Sequence, residues 1–337
     1  MKKSLLTMLA LGALVFAGCS SEEPAKEVSD GATVFAVNLP YEISSRAYDN
    51  GYTATKLDYV IYENTGTTGL GVKKATGEAT FADNSLKTEV TVNLIKNRRY
   101  NIVFWAQAPG AEAYTLNADD ATLSVDYDKL SMNDANVDAF FGWVKDFTVT
   151  GNVKKDVTLY RPLAQINVGT DDIAEAEAVG YTHALTEVAV SNVYDKLELY
   201  TGKALMQSGT ETKTVTYAAK GVVDEAGAKF PVEHSDATQS YTYLVAAYVL
   251  NGASEDVDFP DDCNHAQAEL SEVTLKFMQA DKSEINTLTV NSVPLQRNYR
   301  TNIYGSLLTN TVMYTVEKVP GFWDEYNIEN GKLVTGK

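Results

Sequence analysis

Apolar and polar residues alternate along most of this chain, and that period fixes the fold class before any single residue is weighed. Successive side chains of a strand point to opposite faces, so alternation buries one face and wets the other. Residues 33–39, 56–62, 88–94 and 100–106 all read this way, with Val90, Val92 and Leu94 on one face of the third segment. The polar link Lys96-Asn97-Arg98 predicts an antiparallel hairpin between the last two. The pattern resumes at 157–160 and 164–168, interrupted by Pro162. Proline cannot donate to a ladder, so that point is an edge, a bulge or a crossing between sheets. Further strands are expected at 185–191, 196–200, 239–250, 270–278, 285–293, 299–308 and 312–316. Twenty tyrosines and many valines and threonines favour the same state.

One segment departs from the pattern. Asp171-Asp172 precedes an alanine- and glutamate-rich run at 173–179, and Gly180 follows. Aspartate can cap the first amides and glycine can close the last turn, so a short helix is expected there. Regular short strands with turn signals between them point to sandwiches or barrels. The chain therefore reads as all-β, and its length suits two domains, 33–157 and 158–337.

The first 18 residues carry a different message. Lys2-Lys3 leads into an apolar run from Leu5 to Phe16, and Ala17-Gly18 stands before Cys19. A basic start, a short apolar core and small residues at a cut site define a secretory signal peptide. The run is too short for a bilayer span of about 20 residues. Cysteine directly after Ala-Gly resembles a bacterial lipoprotein signal, in which the thiol is acylated and becomes the new N-terminus. Residues 19–32 begin polar and without apolar periodicity, as a tether would. The formal charge is −17, and loss of residues 1–18, with two lysines and no acid, takes it to −19. Such a surface repels nucleic-acid phosphates, so nucleic acid is not an expected partner. With Cys19 acylated, only Cys263 remains, and no intramolecular disulfide is expected.

Signals for catalysis are weak. His183, His234 and His265 lie far apart, and the zinc-protease, nucleophile-elbow and phosphate-loop motifs are missing. The run Asp261-Asp262-Cys263-Asn264-His265 does not complete a tetrahedral metal site and reads as a polar loop. No enzyme activity, metal or cofactor is expected. Tyr41, Tyr48, Tyr52, Tyr59 and Tyr62 could line a glycan groove, but tyrosines also fill strand faces. Arg46, in Ser44-Ser45-Arg46-Ala47, stands before the turn sequence Tyr48-Asp49-Asn50-Gly51, an efficient place for a trypsin-like cut.

Three stretches together resemble the fimbrillin family, the lipoprotein-precursor subunits of type V pili. They are Asp138-Ala139-Phe140-Phe141-Gly142, Leu159-Tyr160-Arg161-Pro162-Leu163-Ala164-Gln165-Ile166, and Val293 to Gly305 with its Arg297-Asn298-Tyr299 core. The resemblance implies two transthyretin-like β-sandwich domains, with the short helix in the second. It implies lipidation at Cys19, an outer-membrane and fimbrial location, and a protease cut between Arg46 and Ala47. The first strand, with Val34, Phe35, Val37 and Leu39, would then leave, and a strand from another fimbrial subunit would fill the groove. The tail 311–337, with Val312, Tyr314 and Val316, is either that donor or the last native strand of the second domain. Partners would be other fimbrial subunits, the membrane through the lipid, and host or bacterial surface ligands. The alternative is a non-polymerising, cell-surface glycan-binding lipoprotein.

Overall fold

The computed structural model describes residues 32–39, 53–66, 69–83, 85–206, 212–221, 229–233, 238–251, 269–309, 314–320, 326–329 and 332–335. In chain order the first strands are β1 (Ala32–Asn38), β2 (Lys56–Asn64), β3 (Val72–Thr80), β4 (Lys87–Asn93) and β5 (Arg99–Gln107). They are followed by β6 (Tyr114–Asn117), β7 (Thr122–Val125), β8 (Ala139–Thr148) and β9 (Val153–Thr158). The sheet β4-β1-β9 lies over the sheet β3-β2-β5-β8. Alternate residues of each meet in one core, including Phe35, Val37, Leu57, Ile61, Ile102, Phe104, Phe140 and Val157.

The second half repeats the plan. It contains β10 (Leu163–Thr170), α1 (Ile173–Ala178), β11 (Leu185–Val193), β12 (Lys196–Glu198), β13 (Ala204–Leu205) and β14 (Lys213–Lys220). Then come β15 (Lys229–Glu233), β16 (Thr238–Leu250), β17 (Glu269–Met278), β18 (Glu284–Leu295), β19 (Tyr299–Gly305) and β20 (Tyr314–Pro320). A hairpin of β21 (Tyr326–Glu329) and β22 (Lys332–Thr335) follows. One sheet has the order β15-β16-β10-β19-β20 and the other β14-β11-β17-β18.

The two halves share a topology that no sequence repeat announces. β1 runs antiparallel to β4 and parallel to β9, as β10 runs antiparallel to β16 and parallel to β19. The order β3-β2-β5-β8 matches β14-β11-β17-β18 strand for strand, all antiparallel. Among the described residues β20 has no counterpart in the first half; it extends the second sandwich beyond β19.

The insertions of the two halves build a joint. β6–β7 from the first half and β12–β13 from the second form one sheet, β13-β12-β7-β6. It packs on the outward face of the β2–β5 pair, where Tyr62 donates its hydroxyl to Ala118 O at 2.7 Å and Trp105 meets Tyr114 edge-on at 5.3 Å.

The expected helix is α1, but its aspartate works elsewhere. Asp172 makes no side-chain cap to the helix. Its buried carboxylate instead accepts from the amides of Leu308 and Thr309, at 3.1 and 2.7 Å, and so holds the turn after β19. Gly180, at φ +91°, closes the helix by donating to Glu177 O at 3.0 Å. The strand expected at 196–200 ends at Glu198, and the one expected at 299–308 ends at Gly305, where the turn begins. Pro162 lies where the chain crosses from one sandwich to the other. The strand prolines Pro231, Pro294 and Pro320 sit on the edge strands β15, β18 and β20, where a missing donor costs least.

Candidate functional site

β1 is the middle strand of its sheet. Its seven residues pair with β4, and six of the positions from Thr33 to Asn38 also pair with β9. Thr33, Phe35, Val37 and Leu39 point inward and are buried. Val34, Ala36 and Asn38 form the outer face and are half-buried, so Val34 packs outside the core that the other three fill. Phe35 meets Phe104 and Phe147 edge-on, each at 5.7 Å between ring centres. Asn38 ties down the outer face, its amide donating to Ala36 O at 2.9 Å and Val157 O at 3.3 Å. Beyond the strand the ladder continues through Leu39 N to Leu86 O at 2.8 Å and Leu159 N to Asn38 O at 2.9 Å.

Burial of a large apolar side chain contributes about 1.5–3 kcal/mol. Phe35, Val37 and Leu39 together contribute roughly 5–9 kcal/mol on that scale. Withdrawal of β1 would leave β4 and β9 two strand spacings apart, about 9.5 Å, with facing rows of unpaired amides and carbonyls. A replacement in the direction of β1 would run antiparallel to β4 and parallel to β9. It must also carry apolar residues at alternate positions to fill the places of Phe35, Val37 and Leu39.

Cys19, Arg46, Ala47 and Val312 lie outside the described residues, as do Tyr41, Tyr48, Tyr52, Cys263, His234 and His265. Of the remaining tyrosines in the proposed groove, Tyr59 packs partly buried against the first core and Tyr62 is buried in the joint. Tyr314 and Val316 belong to β20, which pairs with β19 along its whole length as an edge strand. Tyr314 is exposed there, while Val316 packs partly buried on the second core.

The motif residues have a shared purpose that sequence reading missed. Arg161 grips Asp138 with two hydrogen bonds of 2.5 Å, and both side chains are buried. The guanidinium also lies 4.5 Å over the Phe140 ring. Burial pulls the Arg161 pKa down to about 9. Phe141 and Tyr160 exchange backbone hydrogen bonds at 2.9 and 2.8 Å. At Gly142 a Cβ would stand 2.7 Å from Leu159 Cδ2 and 3.1 Å from Thr158 O, so any larger residue would have to displace its neighbours. Asn298 N donates to Leu163 O at 3.0 Å. Buried Arg297 donates Nε to Asn251 O at 2.8 Å and Nη1 to Gly202 O. The three stretches 138–142, 159–166 and 293–305 thus meet around the passage between the sandwiches. Two separated strings with a lone aspartate and a lone arginine were the available signal, but nothing in their spacing pairs them.

The structure is a double β-sandwich with a shared joint. Residues 24–335 match the model of a family of unknown function (DUF6562), and the chain belongs to that family. No curated protein matches it. Among solved structures it is similar to a candidate polysaccharide-binding protein (DUF1812) of Bacteroides thetaiotaomicron, at 12% identity and TM-score 0.47, covering 91% of this chain and 98% of that one. It is also similar to a candidate cell adhesion protein of Parabacteroides distasonis, at 13% identity and TM-score 0.45, covering 86% and 97%. A fimbrial assembly protein of the same species aligns at 9% identity and TM-score 0.41, covering 91% and 99%.

Proposed function

We propose that this protein is an exported structural or adhesive subunit of a surface fibre, anchored at first through Cys19 and assembled by exchange of β1. The observation that carries the reading is the place of β1. It is the first strand among the described residues, it is central in its sheet, and both of its partners come from later in the chain. A cut between Arg46 and Ala47 falls between β1 and β2. It would therefore separate β1 and the lipid anchor together from everything else, leaving a slot that strongly favours an added strand. The role asks for no catalysis, and the activity is recognition of one chain by another.

The donor is a strand of another subunit. The candidate donor in this chain is the tail 311–337, where Val312, Tyr314 and Val316 alternate. To serve, β20 would give up its ladder with β19 for the deeper burial offered by a neighbour's slot.

N-terminal sequencing of protein recovered from cells tests the reading. The expected product begins at Ala47 and runs as detergent-resistant ladders, and Arg46→Ala abolishes both. Recovery of only lipidated monomer beginning at Cys19 would sink the assembly role.

A further inference from the structure

We infer that a cleft between the joint and the second sandwich binds a neutral saccharide. The cleft has a volume of about 510 Å³, inside the roughly 300–1,000 Å³ typical of small-ligand sites. It lies across the β2–β5 sheet from β1 and stands whether or not the subunit polymerises.

Its walls are hydroxyl-rich for a reason of register. Thr115 of β6 and Ser124 of β7 face each other as a cross-strand pair on the outer side of the joint sheet. Thr214 and Thr216 line the opposite wall, because β14 buries Val215 and Tyr217 and turns the alternate threonines outward. The floor is Tyr127, whose hydroxyl is already engaged: it donates to Tyr194 O at 2.7 Å and accepts from Leu250 N at 2.8 Å. Lys213 lies 4.9 Å over the Tyr127 ring and 3.1 Å from Asp195. Asp126 and Asp128 stand exposed at the rim.

The lining selects the chemistry. A hydroxyl both donates and accepts, so a wall of hydroxyls matches a ligand whose own groups do the same. Carboxylates accept pairs of hydroxyl donors, which suits vicinal diols. Lys213 offsets Asp195 and Lys129 stands 3.9 Å from Asp126, and the negative charge that remains at Asp128 disfavours sialylated, uronic and sulfated sugars. An apolar ligand would desolvate these groups without replacing their hydrogen bonds. Among the described residues no three His, Cys, Asp or Glu side chains are placed to hold a metal ion. The arrangement therefore points to direct hydrogen bonding rather than cation bridging.

The test uses the whole mature chain on an array of neutral, sialylated and sulfated glycans, with calorimetric titration of every neutral glycan that binds. Neutral oligosaccharides are expected to bind and acidic ones not. Asp126→Ala with Asp128→Ala should weaken binding by about tenfold or more, as loss of charge-assisted hydrogen bonds does. Thr216→Lys, which projects a long side chain into the cleft from an exposed position, should do the same. Lys87→Ala on exposed β4 should leave affinity unchanged. The cleft variants alter exposed side chains, and an unchanged circular dichroism spectrum will show that the fold is kept. No neutral glycan bound, acidic glycans alone bound, or less than a twofold change in the cleft variants would overturn the inference.

Discussion

Phe35→Ala tests the phase of β1, on which the slot depends. The ring is fully buried and touches Phe104 and Phe147 edge-on. Truncation removes the transfer free energy of the ring and leaves a void between two sheets held apart by their own ladders. Phe→Ala in such a core costs about 3–5 kcal/mol. At roughly 2–4 °C per kcal/mol for a unit of this size, the melting temperature of the first sandwich should fall by about 6–20 °C. Val34→Ala, one residue earlier on the half-buried outer face, is the internal control. It should cost about 1 kcal/mol or less, since the side chain never leaves water fully. Urea unfolding followed by fluorescence reads both variants against the parent. A Val34→Ala cost equal to or above that of Phe35→Ala would refute the register, because a one-residue slip exchanges the two faces.

Other consequences follow from the joint and from one histidine. Asp138→Ala, which strands a buried guanidinium, should cost about 3–5 kcal/mol. Replacing both Asp138 and Arg161 with apolar residues should recover much of that loss, and a double-mutant cycle in urea will show it. Gly142→Ala should cost about 1–3 kcal/mol as overpacking against Leu159 and Thr158. Burial pushes the His183 imidazole down to about 4. Below an ordinary value near 6.5 the unfolded chain binds the proton first. Stability from this residue is therefore complete above pH 6.5 and is lost as pH falls toward 4, by at most roughly 3 kcal/mol. His183→Phe should flatten that part of the stability profile relative to the parent, read as urea midpoints from pH 7 to pH 4.5.

Strands with one buried face were legible in the sequence, because their alternation is a direct imprint of the core. β1, β4, β17 and β18 show it, whereas β2 and β5 are buried on both faces, one face beneath β1 and the other beneath the joint. β3 was invisible for the complementary reason. Its sequence VKKATGEAT lies exposed along most of an edge strand, and Gly77 sits under the Tyr59 ring. Nothing in such a strand is apolar enough to set a period. β6, β7 and β13 were too short to set a period, whereas β12 was expected at 196–200; the four make one sheet because the insertions of the two halves pair through β7 and β12. Asp172 shows the same limit at a single residue. Its place before a helix invited a cap, but a turn brought close by tertiary folding offered three better donors. The slot was readable as far as Phe35, Val37 and Leu39 sharing a face. That β1 is central rather than marginal depends on pairing with β9, more than a hundred residues away, which no local pattern encodes.

The duplicated topology sharpens why exchange would belong to the first sandwich alone. β10 holds the same central place in the second sandwich as β1 does in the first, so topology by itself gives both a slot. The two strands are secured differently. All eight residues of β10 are buried, and its polar side chains are locked across the sheet. Gln165 donates to Tyr248 at 3.2 Å, Asn167 donates to Asn302 at 2.9 Å, and Tyr243 donates to Asn167 at 2.5 Å. Buried polar pairs of this kind strengthen one another in a low-dielectric interior and fix a single register. A substitute strand would have to reproduce them or leave their partners unsatisfied. β1 presents its core with Phe35, Val37 and Leu39, an apolar set that many alternating strands could supply. The chain also enters β10 through the Arg161–Asp138 clamp, so a cut before it would free no strand. On the proposed reading, the same architecture would make one sandwich exchangeable and the other permanent, through the polarity of one central strand and the freedom that a cut would give the other.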